Sequence, residues 1–160
     1  MPVRVQVHIR APIDRVFEAV SGHERFLRTA DGTATMVLRE GASERSGLGC
    51  VREARVGSRV RYLEDITAWE RPSGFAYTIR ESTLPLRHRG SSLAFTELDG
   101  GNEAWWTASF EIPVPMLGRF LRPWLDRRLD GAFTVMLRAT KERIEATAAS
   151  APQSTAAEHP

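Results

Sequence analysis

CVREARVGSRVRYLEDI, residues 50–66, alternates on both sides of Gly57. A three-residue loop, Gly57-Ser58-Arg59, sets Val56 opposite Val60, Ala54 opposite Tyr62, Arg52 opposite Glu64 and Cys50 opposite Ile66. Every pair but Arg52 with Glu64 is apolar or aromatic, so these residues form the face turned toward a core. A two-residue loop would mix the parities. The segment is an antiparallel hairpin, and Arg52 with Glu64 is an ion pair on its inner face, with Cβ atoms about 4.5–5.5 Å apart.

The two-residue period extends outward from this hairpin. It begins at Thr33 and holds for about 80 residues, with strands expected near 34–39, 47–56, 59–69, 74–81, 87–98 and 103–111. Gly41 with Ser43, Pro72-Ser73-Gly74 and Asp99-Gly100-Gly101-Asn102 separate them with turn chemistry. Short turns between consecutive strands make an antiparallel meander. Upstream, VRVQVHI at 3–9 is a further half-buried strand. Pro12 and Asp14 open a short helix carrying Val16, Phe17 and Val20, and a second is expected over Glu24 to Thr29 with Phe26 and Leu27 inward.

Downstream of Pro115 the period becomes helical. Leu117, Phe120, Leu121, Trp124, Leu125, Leu129, Phe133, Met136, Leu137 and Ile144 recur at three and four residues, with a kink or the helix start expected at Pro123. A stripe of that length must pack on something, and the sheet is the only candidate. The fold class is therefore α+β: a seven-stranded antiparallel sheet curved around a long C-terminal helix, in one domain over 1–147. The tail 148–160 has no large apolar residue and is expected to be disordered.

Composition narrows the function classes. The 160 residues are 42% hydrophobic, enough for one sizeable core, with no run long enough for a membrane span. The first ten residues alternate apolar and basic without the apolar stretch of a signal peptide. One cysteine, Cys50, forbids an intrachain disulfide and fits a reducing cytoplasm. A net charge of +2 without a dense basic stripe gives no nucleic-acid surface. The histidines are not at ligand spacing, so neither a metal nor another cofactor is expected. Ser91-Ser92 lacks a GxSxG setting, and Gly47-Leu48-Gly49 does not open a helix as a nucleotide loop would.

The order of one strand, two short helices, six strands and a long helix resembles the START-like, Bet v 1-like (SRPBCC) superfamily, in particular its bacterial polyketide cyclase/dehydrase and lipid-transport group. IRAPIDRVFEAVSGHERF resembles its opening strand and helix pair. GLGCVREARV and YLEDITAWERPSGFAYTI resemble its central hairpins, and LPLRHRGSSLAFTELDGGNEAWWTASFEIPVP its last. The resemblance runs from residue 3 to about 147 and implies a helix-grip fold around a hydrophobic cavity. Fold does not choose among the binders, transfer proteins, cyclases and cochaperone-like modules of that superfamily.

Parity gives the expected wall. A four-residue loop Asp99–Asn102 pairs Leu98 with Glu103, Phe95 with Trp106, Leu93 with Ala108 and Ser91 with Phe110, leaving Trp105, Thr107 and Ser109 outside. Phe75, Tyr77 and Ile79 share the inner face of the preceding strand. The candidate ligand-binding residues are thus Tyr62, Tyr77, Ile79, Ser91, Leu93, Phe95 and Trp106, with Phe133 and Met136 from the helix. Straight alternation back from Ser91 puts Arg89 inside and His88 outside, and only a bulge at Gly90 would reverse them. Glu64 and Arg52 are the candidate catalytic pair, with Arg52's charge expected to outweigh burial and hold Glu64 ionised. The first reading is a carrier of a lipid, polyketide or isoprenoid-like molecule. The second is an aromatase/cyclase-like enzyme using Glu64 as acid or base. The third is a protein-partner module using the cavity mouth.

Overall fold

The computed structural model describes residues 3–22, 33–84, 86–111, 113 and 115–149. The helix expected over Glu24 to Thr29 lies outside these residues, as does the chain from 150 on. The strands are β1 (Val3–Ile9), β2 (Thr33–Arg39), β3 (Val51–Val56), β4 (Val60–Glu70), β5 (Gly74–Ser82), β6 (Arg87–Leu98) and β7 (Gly101–Glu111). Among the described residues two helices accompany them, α1 (Ile13–Ser21) and α2 (Pro115–Ala149). The sheet order is β1-β7-β6-β5-β4-β3-β2, and every pairing is antiparallel. Only β1, returning beside β7, leaves the sequential order. This is the helix-grip arrangement.

The central hairpin has the register that parity demanded. Val56 pairs Val60, Ala54 pairs Tyr62 and Arg52 pairs Glu64. Gly57 sits at φ 58, the left-handed geometry that the turn requires. Cys50 lies just before β3 rather than in it. It still sits opposite Ile66, whose amide donates to the Cys50 carbonyl at 2.9 Å, while the Gly49 amide donates to the Ile66 carbonyl at 3.0 Å.

The last hairpin differs from expectation. Leu98 pairs Gly101, so the turn is the two residues Asp99-Gly100, with Gly100 at φ 81 and Gly101 at φ 157. The register moves by two: Leu93 faces Trp106, Phe95 faces Ala104 and Ser91 faces Ala108. A shift of two leaves every side chain on its own face, which is why parity did not detect it.

α2 runs unbroken through Pro123, so the helix does not start there. Among its described side chains Phe133, Met136, Leu137 and Thr140 are buried, with Leu129 and Ile144 packed beside them. Trp124, placed on this stripe by sequence, is 62% exposed. Nine residues from Phe133 at 3.6 per turn is about 180°, the opposite side of the helix. Arg128 covers the indole instead, 6.0 Å from its ring. α2 crosses the inner face through Phe133, whose ring stacks on Trp106 of β7 at 3.9 Å and 6°. Its far end is tied down by Glu145, which accepts the Arg10 amide at 2.8 Å. No helix among the described residues is long and apolar enough to cross a membrane.

α1 closes one end of the sheet. Val16, Phe17 and Val20, one turn of spacing apart, are buried. The Phe17 ring meets Trp69, Phe75 and Phe95 edge-on at 5.0, 6.1 and 6.0 Å. This aromatic cluster fills that end, and the remaining space lies toward β3, β4 and the β5–β6 connection.

Candidate functional site

A cavity of about 130 Å³ lies between the concave sheet and α2. Arg52, Tyr62, Glu64, Phe75, Tyr77, Ile79, Leu93 and Trp106 form its sheet wall, and Leu129, Phe133 and Met136 close it from α2. His88, Phe110, Val60, Ser82, Leu84, Leu86 and Val20 complete the lining.

Arg52 and Glu64 are its charged pair. Arg52 Nε donates to Glu64 Oε2 at 2.6 Å, and the two side chains are 3% and 4% exposed. The guanidinium lies 5.9 Å from the Phe75 ring and 5.6 Å from that of Tyr77. Its Nη1 is buried with no hydrogen-bond partner. A buried donor without an acceptor costs about 1–3 kcal/mol. Burial pushes the Glu64 carboxyl above its usual range, and the charge and hydrogen bond of Arg52 oppose that without cancelling it. The expectation that Arg52 would outweigh desolvation is therefore corrected, because the pair sits deep enough for loss of water to be the larger effect. Burial also raises both phenols, Tyr62 and Tyr77, with the Glu64 charge adding to it. Both are neutral donors across the physiological range.

β6 carries the second polar group. The register slips between His88 and Gly90, where Gly90 has φ 130. This bulge reverses the local parity. His88 turns in and Arg89 turns out to an exposed ion pair with Glu111 at 2.6 Å, the reverse of straight alternation. The His88 ring stacks 5.7 Å from Tyr77 and lies 4.9 Å from Phe110. Its Nδ1 accepts the Ile79 amide at 2.8 Å, and its Nε2 is 2.7 Å from Ser91 Oγ. Trp106 Nε1 donates to the Tyr77 hydroxyl at 3.2 Å.

Burial lowers the His88 pKa to about 4, against 6.5 for a free imidazole. The unfolded chain then binds the proton more readily than the folded one between those values. Stability from this group is complete above pH 6.5 and is lost as pH falls toward 4. We expect the urea midpoint to drop between about pH 7 and pH 5. His88→Asn keeps an acceptor for the Ile79 amide and cannot titrate, so its midpoint should fall less over the same interval. Equal falls in both proteins would show that His88 does not drive the change.

The sequence matches the model of the family described as polyketide cyclase / dehydrase and lipid transport over residues 2–145. The chain belongs to this family. Solved structures agree on the fold. TTHA0849 from Thermus thermophilus is 21% identical with a TM-score of 0.74, over 92% of this chain and 99% of that one. Ara h 8.0201 is 15% identical with a TM-score of 0.69, over 91% and 98%. DynU16, from the dynemicin biosynthetic locus, is 14% identical with a TM-score of 0.60, over 91% of this chain and 48% of that one. At these identities the likeness establishes the fold alone. No curated protein matches.

In this member of the polyketide cyclase / dehydrase and lipid transport family, parity brought together most of the expected wall. Arg52, Glu64, Tyr62, Tyr77, Ile79, Leu93, Trp106, Phe133 and Met136 all line the cavity. Phe95 does not, because its ring packs against Phe17 under α1. Ser91 stands behind the lining, bonded to His88. His88 is the polar residue that straight alternation excluded, and Gly90 inside a strand was its only signal. Leu84 and Leu86 come from a connection with no periodicity to read. Among the described residues no His, Cys, Asp and Glu side chains gather as a metal site.

Proposed function

We propose that the protein binds and carries a hydrophobic small molecule, of lipid, polyketide or isoprenoid-like character, in the cavity beneath α2. The observation that supports this most is an apolar and aromatic enclosure with the buried Arg52–Glu64 pair on its wall. Such a composition, mostly apolar with a few placed polar groups, is that of ligand pockets. The family description names both lipid transport and cyclase chemistry. The volume holds a ring-sized group.

Native mass spectrometry of protein purified gently from its host tests the reading. We expect a bound apolar compound that is released on denaturation, and an apolar fluorophore that long-chain lipids or polyphenols displace. If no hydrophobic probe binds at any concentration where it stays soluble, the carrier reading fails.

One observation favours a second reading, an aromatase/cyclase-like enzyme: a carboxyl pushed up by burial lies in the cavity beside a guanidinium and two phenols. Glu64 would move a proton, Arg52 would stabilise enolate charge, and Tyr62 or Tyr77 would donate a hydrogen bond. Glu64→Gln separates the readings. A carrier keeps its ligand affinity, whereas an enzyme loses turnover with binding preserved.

A further inference from the structure

One rim of the cavity is built from two segments that hydrogen bonds join. The register sets Tyr62 opposite Ser82, so the end of β5 runs beside the start of β4. Thr83 then ties the β5–β6 connection to the β3–β4 turn. Its amide donates to the Arg61 carbonyl at 2.9 Å and its hydroxyl to the Arg59 carbonyl at 3.1 Å, while its Oγ1 accepts the Arg61 amide at 3.0 Å. Val60, Ser82, Leu84 and Leu86 carry this rim onto the cavity wall. Two of its apolar side chains turn to solvent: Val56 is 39% exposed and Leu84 41%. Single exposed apolar residues are ordinary on a protein surface, but these two stand among arginines beside an apolar chamber. Arg55, Arg59, Arg61, Arg80, Arg87 and Arg89 lie on the same two segments. Arg55 and Arg61 share Glu53, Arg80 lies near Asp65 and Glu81, and Arg89 pairs with Glu111. Six arginines against these four carboxylates leave a surplus of +2, which equals the net charge of the whole chain. The rest of the sequence is therefore balanced. The surplus resides on Arg59 and Arg87, both exposed and, among the described residues, without a carboxylate partner.

We propose that this rim docks on an anionic lipid bilayer, with Val56 and Leu84 entering the headgroup boundary and Arg59 and Arg87 lying against lipid phosphates. A bilayer supplies countercharge and an apolar medium in one surface. Because Thr83 holds the two segments together, both apolar tips meet that surface at once. A second copy of the chain brings the same arginines and is repelled. An acidic protein supplies the countercharge alone and leaves an apolar molecule to cross water on its way to the chamber. The inference goes beyond the ligand-binding reading and takes from it only the reason for a mouth, so docking can fail while that reading stands.

The test sediments the full-length protein with vesicles of phosphatidylcholine alone and of equal parts phosphatidylcholine and phosphatidylglycerol. Binding is expected to the mixed vesicles, weakening as salt is raised, with little to phosphatidylcholine. Arg59→Gln with Arg87→Gln should weaken it on the order of tenfold or more. Arg10→Gln with Arg15→Gln removes the same charge at the α1 end and should change it by less than about threefold. Cys50 is buried, so a polarity-sensitive thiol dye reports only an introduced cysteine. On Val56→Cys the dye emission should shift to the blue when mixed vesicles are added, and on Arg15→Cys it should not. Equal losses from the two charge pairs, or a shift at position 15 alone, would place the docking face elsewhere and overturn the proposal. No binding to mixed vesicles at low salt overturns it as well, and so does an acidic protein that competes the wild type off the vesicles through Arg59 and Arg87 while the dye on Val56→Cys stays in water. An apolar fluorophore titrated without vesicles reads the cavity separately. If it binds where vesicles do not, the docking alone is wrong.

Discussion

Arg52→Met is expected to lower unfolding free energy by about 3–5 kcal/mol, because it removes the guanidinium hydrogen-bonded to a buried carboxylate. Glu64 is 3% exposed and has Arg52 Nε at 2.6 Å. Met fills much of the space of the arginine stem, so the loss is mainly electrostatic. Adding Glu64→Leu should recover most of it, since a well-packed apolar pair replaces an ion pair at little or no cost. The cycle of single and double variants in urea isolates the coupling. The pH dependence supplies a sign. The folded pKa of Glu64 lies above its unfolded value, so the folded state holds this proton more tightly. Stability from it is complete below the unfolded value and is lost as pH rises through the raised one. Without Arg52 the carboxyl rises further, so the deficit of Arg52→Met should shrink at acidic pH. A deficit below about 1 kcal/mol, typical of an exposed pair, would mean that water reaches these groups.

This pair was legible in the sequence because a single constraint determined it. A two-residue turn at Gly57 would divide Ala54, Val56, Val60, Tyr62 and Ile66 between the two faces, whereas the three-residue turn keeps them together and places Arg52 opposite Glu64. The last hairpin had no such constraint. A two-residue and a four-residue turn at Asp99 leave the same faces inside, so the observed pairing of Leu98 with Gly101 could not be told from a pairing with Glu103. His88 was lost at a bulge, where one extra residue reverses every parity beyond it. Gly90 marks the place but not the direction. The raised pKa of Glu64 depends on depth of burial against strength of pairing, and linear sequence contains neither. Trp124 shows the same limit on the helix: three- and four-residue steps admitted it to the stripe, but accumulated rotation carries it to the far side. The hydrogen bonds linking Ile79, His88 and Ser91 needed both the bulge and the end of the β5–β6 pairing, so they were visible only in three dimensions.

Phe133→Ala is expected to cost about 3–5 kcal/mol and, unlike an ordinary core truncation, to widen the range of ligands. Phe133 is 7% exposed and holds α2 to the sheet through its stack on Trp106. Part of the loss is the ring–ring contact, about 0.5–1.5 kcal/mol, and the larger part is transfer free energy and the space left behind. That space adjoins the existing cavity, so the variant has a larger chamber with Trp106 as its floor. An apolar probe too bulky for the 130 Å³ of the wild type should enter it. Binding to the folded state alone raises stability by mass action, about 2.7 kcal/mol at a hundredfold excess over Kd. The variant should therefore melt well below the wild type without ligand and regain much of the difference with the bulky probe, while the wild type responds little. Thermal melts with and without the probe read both effects. If the variant loses its stability but no probe restores it, α2 has collapsed onto the sheet. The space beneath the helix would then be a packing defect held open by Phe133 rather than a chamber shaped for a ligand.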